Sequence, residues 1–484
     1  MYACSEDADD KTLAPEEGIR LTTWHLWFPE AGGTLPVAVS ATADWGSTTD
    51  SEWIAVTDEQ DGIQISVSAN DSGTPRAGYV YVKTLHLRDS VFVEQSAESS
   101  ADLSAEAAAN CYMAKPGKTY KFNGRVKGNG GTDGGSSYVE YCGATIEGEL
   151  AADLLWEATF DGDKTRSRGI IDGAPVFKDD YVYFRTGKIE GNAVIAVRSA
   201  AGDIMWSWHI WVLADEVQTE EGNGLQWMDR NLGALNNTPA DRNNRGMMYQ
   251  WGRKDPFLPT YIPYDGLYAT ALRYNPDNTE TGDGSMSWNY SDFMAMRLIA
   301  APGHIPFSVE KPTTYIKYFG TLMVGTMDWY LSEFNEDTSN SCLWGNFDDS
   351  SEKSMFDPCP PGYIMPPGDA FELKGSGTSE RNQWTVNSQK CEEFDFGVKW
   401  TDCNDAYFPL AGHRVGHSGE LTYCGNIGDY WTRRPARNEP EAHMSYFNIM
   451  QNPDNPEYLT PILTEVNGRT GARVSALTVR CVKQ

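Results

Sequence analysis

Strict alternation between apolar and polar residues constrains this chain more than any other feature. In "GIQISVSAN" (62–70), Ile63, Ile65 and Val67 fall on one face and Gln64, Ser66 and Ser68 on the other. A period of two belongs to a half-buried strand, not to a helix. "AGYVYVKTLHLRDSVFVEQ" (77–95) repeats it through two runs with a polar turn between them. Several such runs between 15 and 98 predict a small β-sandwich. A second strand-rich block over 99–215 contains "DYVYFRTG" (180–187) and "GNAVIAVRSAAGDIMWSWHIWV" (191–212). The latter reads as a hairpin turning at "AAGD", with Ile204, Trp206, Trp208 and Ile210 at strand period. "QSAESSADLSAEAAAN" (95–110) is small, polar and poor in β-formers, a linker candidate. The Gly-rich run at 128–137 lacks the Lys-Ser/Thr ending and following helix of a phosphate cradle. Beyond "LADEVQTEEGNG" (213–224) the texture becomes irregular, with helix expected only near 292–300 and 241–250.

The formal charge of −29 disfavours phosphate backbones and anionic lipid as partners. No stretch approaches the ~20 apolar residues that span a bilayer. Nine cysteines without a C-x-x-C pair make neither a disulfide-dense scaffold nor a zinc ribbon. In "MYACSEDADD", Cys4 follows Ala3 and precedes an acidic run. That resembles the end of a bacterial lipoprotein signal whose apolar part is missing. The resemblance implies a lipid on Cys4, a tether over 1–14 and a place at the cell surface as an outer-membrane lipoprotein. The other reading is a disordered start with an incidental cysteine.

Two family resemblances follow from ordered landmarks. "ADW" (43–45), "EWIAV" (52–56), "ISVSAN" (65–70), "PRAGYVYV" (75–82) and "VFVEQ" (91–95) resemble the BACON domain, an immunoglobulin-like sandwich of Bacteroidetes surface proteins. Trp45 and Trp53 would either stack on a sugar or fill the sandwich core, the commoner use of such residues. "MDRNLGA" (228–234), "MYQWGRKDPF" (248–257), "KPTTYI" (311–316), "LWGN" (343–346), "DPCPPGYIMPP" (357–367), "FPLAGHR" (408–414), "GDYWT" (428–432) and "VRCVK" (479–483) resemble the major-paralogous domain of Fibrobacter and Bacteroidetes surface proteins. That family is similar to the C-type-lectin-like fold and caps adhesins and fimbrial tip subunits. With "SWHIWV" before it, the region looks like the distal part of a fimbrillin-type adhesion protein. The expected architecture is mainly β: two N-terminal immunoglobulin-like β-sandwich domains (15–98 and 99–215), then an α+β C-type-lectin-like domain rich in loops (216–484). The second resemblance implies a disulfide between Cys359 and Cys481, the alternative being two buried thiols. It also makes Trp251, Trp329, Trp344 and Trp431 packing residues.

"AGHRVGHSGELTYCGNIGDYW" (411–431) concentrates His413, His417 and Cys424. Histidines four apart share a zinc when a helix stacks them one turn apart. Gly412, Gly416 and Gly419 would cost that helix roughly 3 kcal/mol. On a strand the two rings would stand about 13 Å apart. The stretch therefore reads as strand, turn and strand, without a metal. No G-x-S-x-G or H-E-x-x-H occurs. "NPDNTETGDGS" (275–285) misses the EF-hand spacing, and "NPDNPE" (452–457) lacks the ligands of a calcium-dependent lectin.

What remains is a binding surface. The insertion 258–292 carries Tyr264, Tyr274, Trp288 and Tyr290 among small and polar residues. Rings on a loop stack on sugars or peptides, or cover the insertion's own small core. The expected function is a non-catalytic, surface-tethered adhesin that binds a glycan or protein through its C-terminal domain, with fimbrial subunits as further partners. A glycan-binding protein of a polysaccharide-uptake system is the first alternative and a glycoside hydrolase the second. No cofactor is expected.

Overall fold

Val80, Val82, Val91 and Val93 have no solvent exposure, and they are the inward halves of two alternating runs. In the computed structural model the first unit, up to Ser99, is built around such runs. The structure describes residues 18–131, 142–159, 169–239, 241–261, 269–270, 304–316, 328–329, 342–345, 352–371, 384–386, 397–400, 403–416, 419, 421–423, 427–436, 441–450 and 462–484.

The first unit has eight strands: β1 (Ile19–Leu21), β2 (His25–Phe28), β3 (Gly33–Ala41), β4 (Gly46–Thr49), β5 (Ile54–Glu59), β6 (Gly62–Val67), β7 (Arg76–Lys83) and β8 (Arg88–Gln95). They form two four-stranded sheets, β1-β3-β6-β5 and β2-β8-β7-β4. Leu35, Val37 and Val39 of β3 and Ile63, Ile65 and Val67 of β6 are buried. The sheets face each other closely at β7, where a Cβ on Gly78 would stand 3.0 Å from Ile54 Cδ1. Buried Gln95 ties β8 to the other sheet by donating from Nε2 to the Ser68 carbonyl at 2.8 Å. The core tryptophan is Trp27. Trp45 and Trp53 are only half-buried, and Arg76 lies 4.6 Å over the Trp53 ring. The ordinary expectation of core tryptophans fails because both sit at strand ends, beyond the closed part of the sandwich.

The second unit, Ser100–Gln484, begins with β9 (Ala101–Asp102), β10 (Cys111–Ala114), β11 (Thr119–Asn123), β12 (Leu150–Ala158), β13 (Val176–Lys178), β14 (Tyr181–Arg185), β15 (Gly191–Ser199) and β16 (Ile204–Val212). These pair as β10-β16-β15-β12 and β13-β14-β11-β9. Trp208 of one sheet meets Phe122 of the other at 4.9 Å.

The expected boundary at 215/216 does not divide the chain. One core runs from Ala109 to Cys481, joining Trp206, Trp208 and Trp211 of β16 to Trp251, Trp344 and Trp431. The reason lies in β16, which is buried on both faces. Ser207, His209 and Trp211 alternate with its inward residues and are covered by the segment 249–255 and helix α1 (His304–Glu310).

Downstream, β17 (Thr219–Gly222) and β18 (Leu225–Met228) make a hairpin turning on Asn223-Gly224, both at positive φ as a type I′ turn requires. Strand Val482–Lys483 lies between β18 and Tyr363–Ile364. A larger sheet joins Leu421–Thr422, His413–Arg414, Ala476–Thr478, Ile427–Pro435, Glu441–Met450 and Ile462–Ala472, with β19 (Met248–Gln250) also pairing Ala476–Thr478. The helix expected over 241–250 is instead a single 3-10 turn at Arg242–Asn244 followed by β19. Residues 292–300 lie outside the described residues.

Cys359 and Cys481 are joined as a disulfide, the pairing that the family resemblance implies. The "DPCPPGYIMPP" loop winds round two buried charges. Asp357 accepts from the backbone N–H groups of Cys359 (2.8 Å) and Met365 (2.9 Å). Lys353 Nζ donates to the carbonyls of Cys359, Pro360 and Tyr363.

Candidate functional site

Tyr264, Tyr274, Trp288 and Tyr290 lie outside the described residues, as do Cys4, His417 and Cys424. His413 is on a two-residue strand paired with Leu421–Thr422, the strand, turn and strand that the glycines imply. Its Nδ1 stands 2.5 Å from Oδ2 of buried Asp429, and the exposed Tyr423 ring lies 5.5 Å away. Among the described residues no three His, Cys, Asp or Glu side chains are grouped to hold a metal.

A constellation that sequence reasoning passed over sits between β16 and the segment after β19. Lys254 Nζ donates to Ser207 Oγ (2.5 Å), the Ser207 carbonyl (3.1 Å) and Asp255 Oδ1 (2.7 Å), and Ser207 Oγ donates to Asp255 Oδ1 (2.6 Å). A serine beside a lysine whose pKa is lowered by burial has the composition of a nucleophile–base pair. Ser207, Lys254 and Asp255 are 1, 3 and 4% exposed, however, so no substrate reaches them. Their geometry satisfies every donor of a buried ammonium and locks the two halves of the unit together.

Among the described residues, an exposed aromatic row stands on the first unit. The alternation that sends Val80, Val82, Val91 and Val93 inward sends Tyr79, Tyr81 and Phe92 outward. Register then aligns them. His25 of β2 is paired with Phe92 of β8, and Phe92 with Tyr79 of β7, so three rings stand in line across three strands. Centroids are 5.6 Å apart for His25–Phe92 and 5.2 Å for Phe92–Tyr79. Tyr81 continues the row at 6.0 Å from Tyr79, their planes 12° apart. At the other end Trp24 lies 5.7 Å from His25. Trp24 is 75% exposed and Tyr79 45%. Ser90 and Thr48, both opposite Tyr81, flank the row with hydroxyls. His25 Nε2 lies 3.4 Å from Glu94. Arg88 stacks over Tyr81 with its guanidinium carbon 3.5 Å from the ring centroid, and Lys83 Nζ is 5.6 Å from the same centroid. The sequence signal was present: aromatic residues at the solvent-facing positions of strands.

No protein-family model matches the chain, and no curated protein does. Among solved structures, the chain is similar to a Bacteroides ovatus GH5 xyloglucanase in complex with a heptasaccharide, at 21% identity and a TM-score of 0.16. That match covers 26% of this chain and 31% of the xyloglucanase, so the chain spans about a third of that protein's length. A protein from Bacteroides thetaiotaomicron matches at 16% identity and a TM-score of 0.16, over 20% of this chain and 98% of its own. A tandem of titin immunoglobulin domains matches at 9% identity and a TM-score of 0.14, over 40% of this chain and 96% of its own.

Proposed function

We propose that this protein is a non-catalytic glycan-binding protein, and that the row Trp24–His25–Phe92–Tyr79–Tyr81 is its contact surface. The observation that carries the reading is the alignment of the His25, Phe92, Tyr79 and Tyr81 rings on one outward sheet face, with Trp24 on the bend before β2 three-quarters exposed. Contiguous apolar surface left open to water marks a place of interaction. Rings offer faces and edges to sugar C–H groups, while Ser90 and Thr48 offer hydroxyl partners. A sheet fixes the backbone beneath such groups, which lowers the ordering cost at binding. The proposal moves the contact from the C-terminal insertion to the first unit, and keeps a lipid on Cys4 and a cell-surface setting as its biological frame. An adhesive role through Tyr264, Tyr274, Trp288 and Tyr290 would add a second contact and does not compete with the first.

Affinity electrophoresis of the whole chain in gels containing xyloglucan, xylan, pectin or glucuronoxylan tests the reading. Retardation by at least one polysaccharide is expected, lost in Trp24→Ala and Tyr79→Ala while far-UV circular dichroism is unchanged. Migration unaffected by every polysaccharide, or retardation that survives both substitutions, would overturn it. Release of reducing ends that stops when one carboxylate is replaced would establish an enzyme instead.

A further inference from the structure

The aromatic row ends in two cations, and their placement is costly unless something neutralises them. Residues 18–99 contain four cationic side chains, Arg20, Arg76, Lys83 and Arg88, against eleven Asp and Glu. Two of the four, Lys83 and Arg88, occupy directly opposed positions on β7 and β8. Like charges at opposed positions destabilise a sheet. Neither makes an ion pair or a side-chain hydrogen bond among the described residues; both rest on the Tyr81 ring. The neighbouring acids are otherwise engaged or turned away. Glu94 sits beside His25, Asp58 accepts from the Ser47 amide and hydroxyl, and Asp89 falls on the opposite side of its strand from Arg88 and Ser90.

We infer that Lys83 and Arg88 form a carboxylate-binding subsite at the end of the aromatic row, and that the ligand is a glycan carrying uronic acid. This deepens the glycan-binding reading and rests on it. An Arg stacked flat on a ring keeps its N–H edge free, and that planar fork matches a carboxylate with two parallel hydrogen bonds. Lys83 adds a point charge beside it. The rest of the row, with rings and hydroxyls, suits neutral sugar units. Two cations within a strongly acidic chain accept one or two anionic groups. A densely charged polymer such as nucleic acid would meet repulsion along the rest of its length.

The test is binding of the whole chain to glucuronoxylan and to polygalacturonate, each against its carboxyl-reduced counterpart. The acidic form should bind about tenfold more tightly, in keeping with one charge-assisted contact, and that advantage should shrink as salt is raised. Lys83→Gln and Arg88→Gln should remove the advantage, so that the acidic and reduced polymers bind alike, whereas Trp24→Ala should weaken both and keep the advantage. Equal binding to the two forms, or a preference that survives both glutamine substitutions, would sink this inference alone. Stronger binding to sulfated glycans, single-stranded DNA or anionic vesicles would overturn the carboxylate assignment. Failure to bind any glycan in either form would sink the underlying reading as well.

Discussion

Asn110 and Met355 are 245 residues apart in sequence, yet Asn110 Nδ2 donates to the Met355 carbonyl at 2.7 Å. The same amide donates to the Asp357 carbonyl at 2.9 Å, and its oxygen accepts from Trp206 Nε1 at 3.1 Å. One side chain just before β10 thus fastens the loop that carries Cys359.

Asn110→Ala leaves two carbonyls and an indole N–H unpaired in a buried place. It should cost about 2–4 kcal/mol. Urea unfolding followed by tryptophan fluorescence measures this, and residues 100–484 should unfold in one transition. A separate, earlier transition for 99–215 would contradict the shared core.

Replacing both Cys359 and Cys481 by serine frees a loop whose ends are 122 residues apart. Loop-closure entropy sets the loss at about 4–5 kcal/mol. The shift in denaturation midpoint between oxidised wild type and the double variant reports it; a shift near zero would mean that the pair contributes nothing to the unfolded-state constraint.

How much was legible follows from these contacts. The inward valines of β7 and β8 were readable because period two needs no tertiary context. By the same logic Tyr79, Tyr81 and Phe92 were readable as outward. Their alignment with His25 was not, because it depends on a parallel pairing between β2 and β8, 67 positions apart (92 minus 25). The join across 215 was hidden for a related reason. Ser207 and His209 look like solvent-facing positions of an edge-exposed sheet, and only Lys254, Asp255 and Tyr249 reveal that the face is covered.

His209 predicts a pH effect. Its Nε2 faces Asn192 Oδ1 at 2.8 Å, and Asn192 spends its amide on the Gly233 carbonyl, so Nε2–H is the donor and Nδ1 accepts from Tyr249. Burial holds this neutral ring far below the ordinary imidazole pKa, at about 3. The unfolded chain takes up a proton near pH 6.5 and the folded one does not. The group's contribution is therefore complete above pH 6.5 and is lost as pH falls toward 3, by roughly 1.4 kcal/mol per pH unit. Ring NMR should show His209 neutral at pH 5. A protonated ring there, with the fold intact, would refute the assignment.

Asp255→Asn removes the counter-charge of a buried ammonium and should cost about 3–5 kcal/mol, whereas Lys254→Met combined with Asp255→Leu should come closer to wild type. Thermal denaturation separates the two. Labelling of Ser207 by a fluorophosphonate in the folded protein would show access that its burial denies.

The strand Val482–Lys483, held between Trp227 and Ile364, has a consequence for biosynthesis. The hydrophobic interior of the second unit is not closed until this strand, more than 250 residues beyond its partner Trp227, has left the ribosome. Trp227 and Ile364 therefore wait without their shared partner strand while the segment between them and Val482 is made.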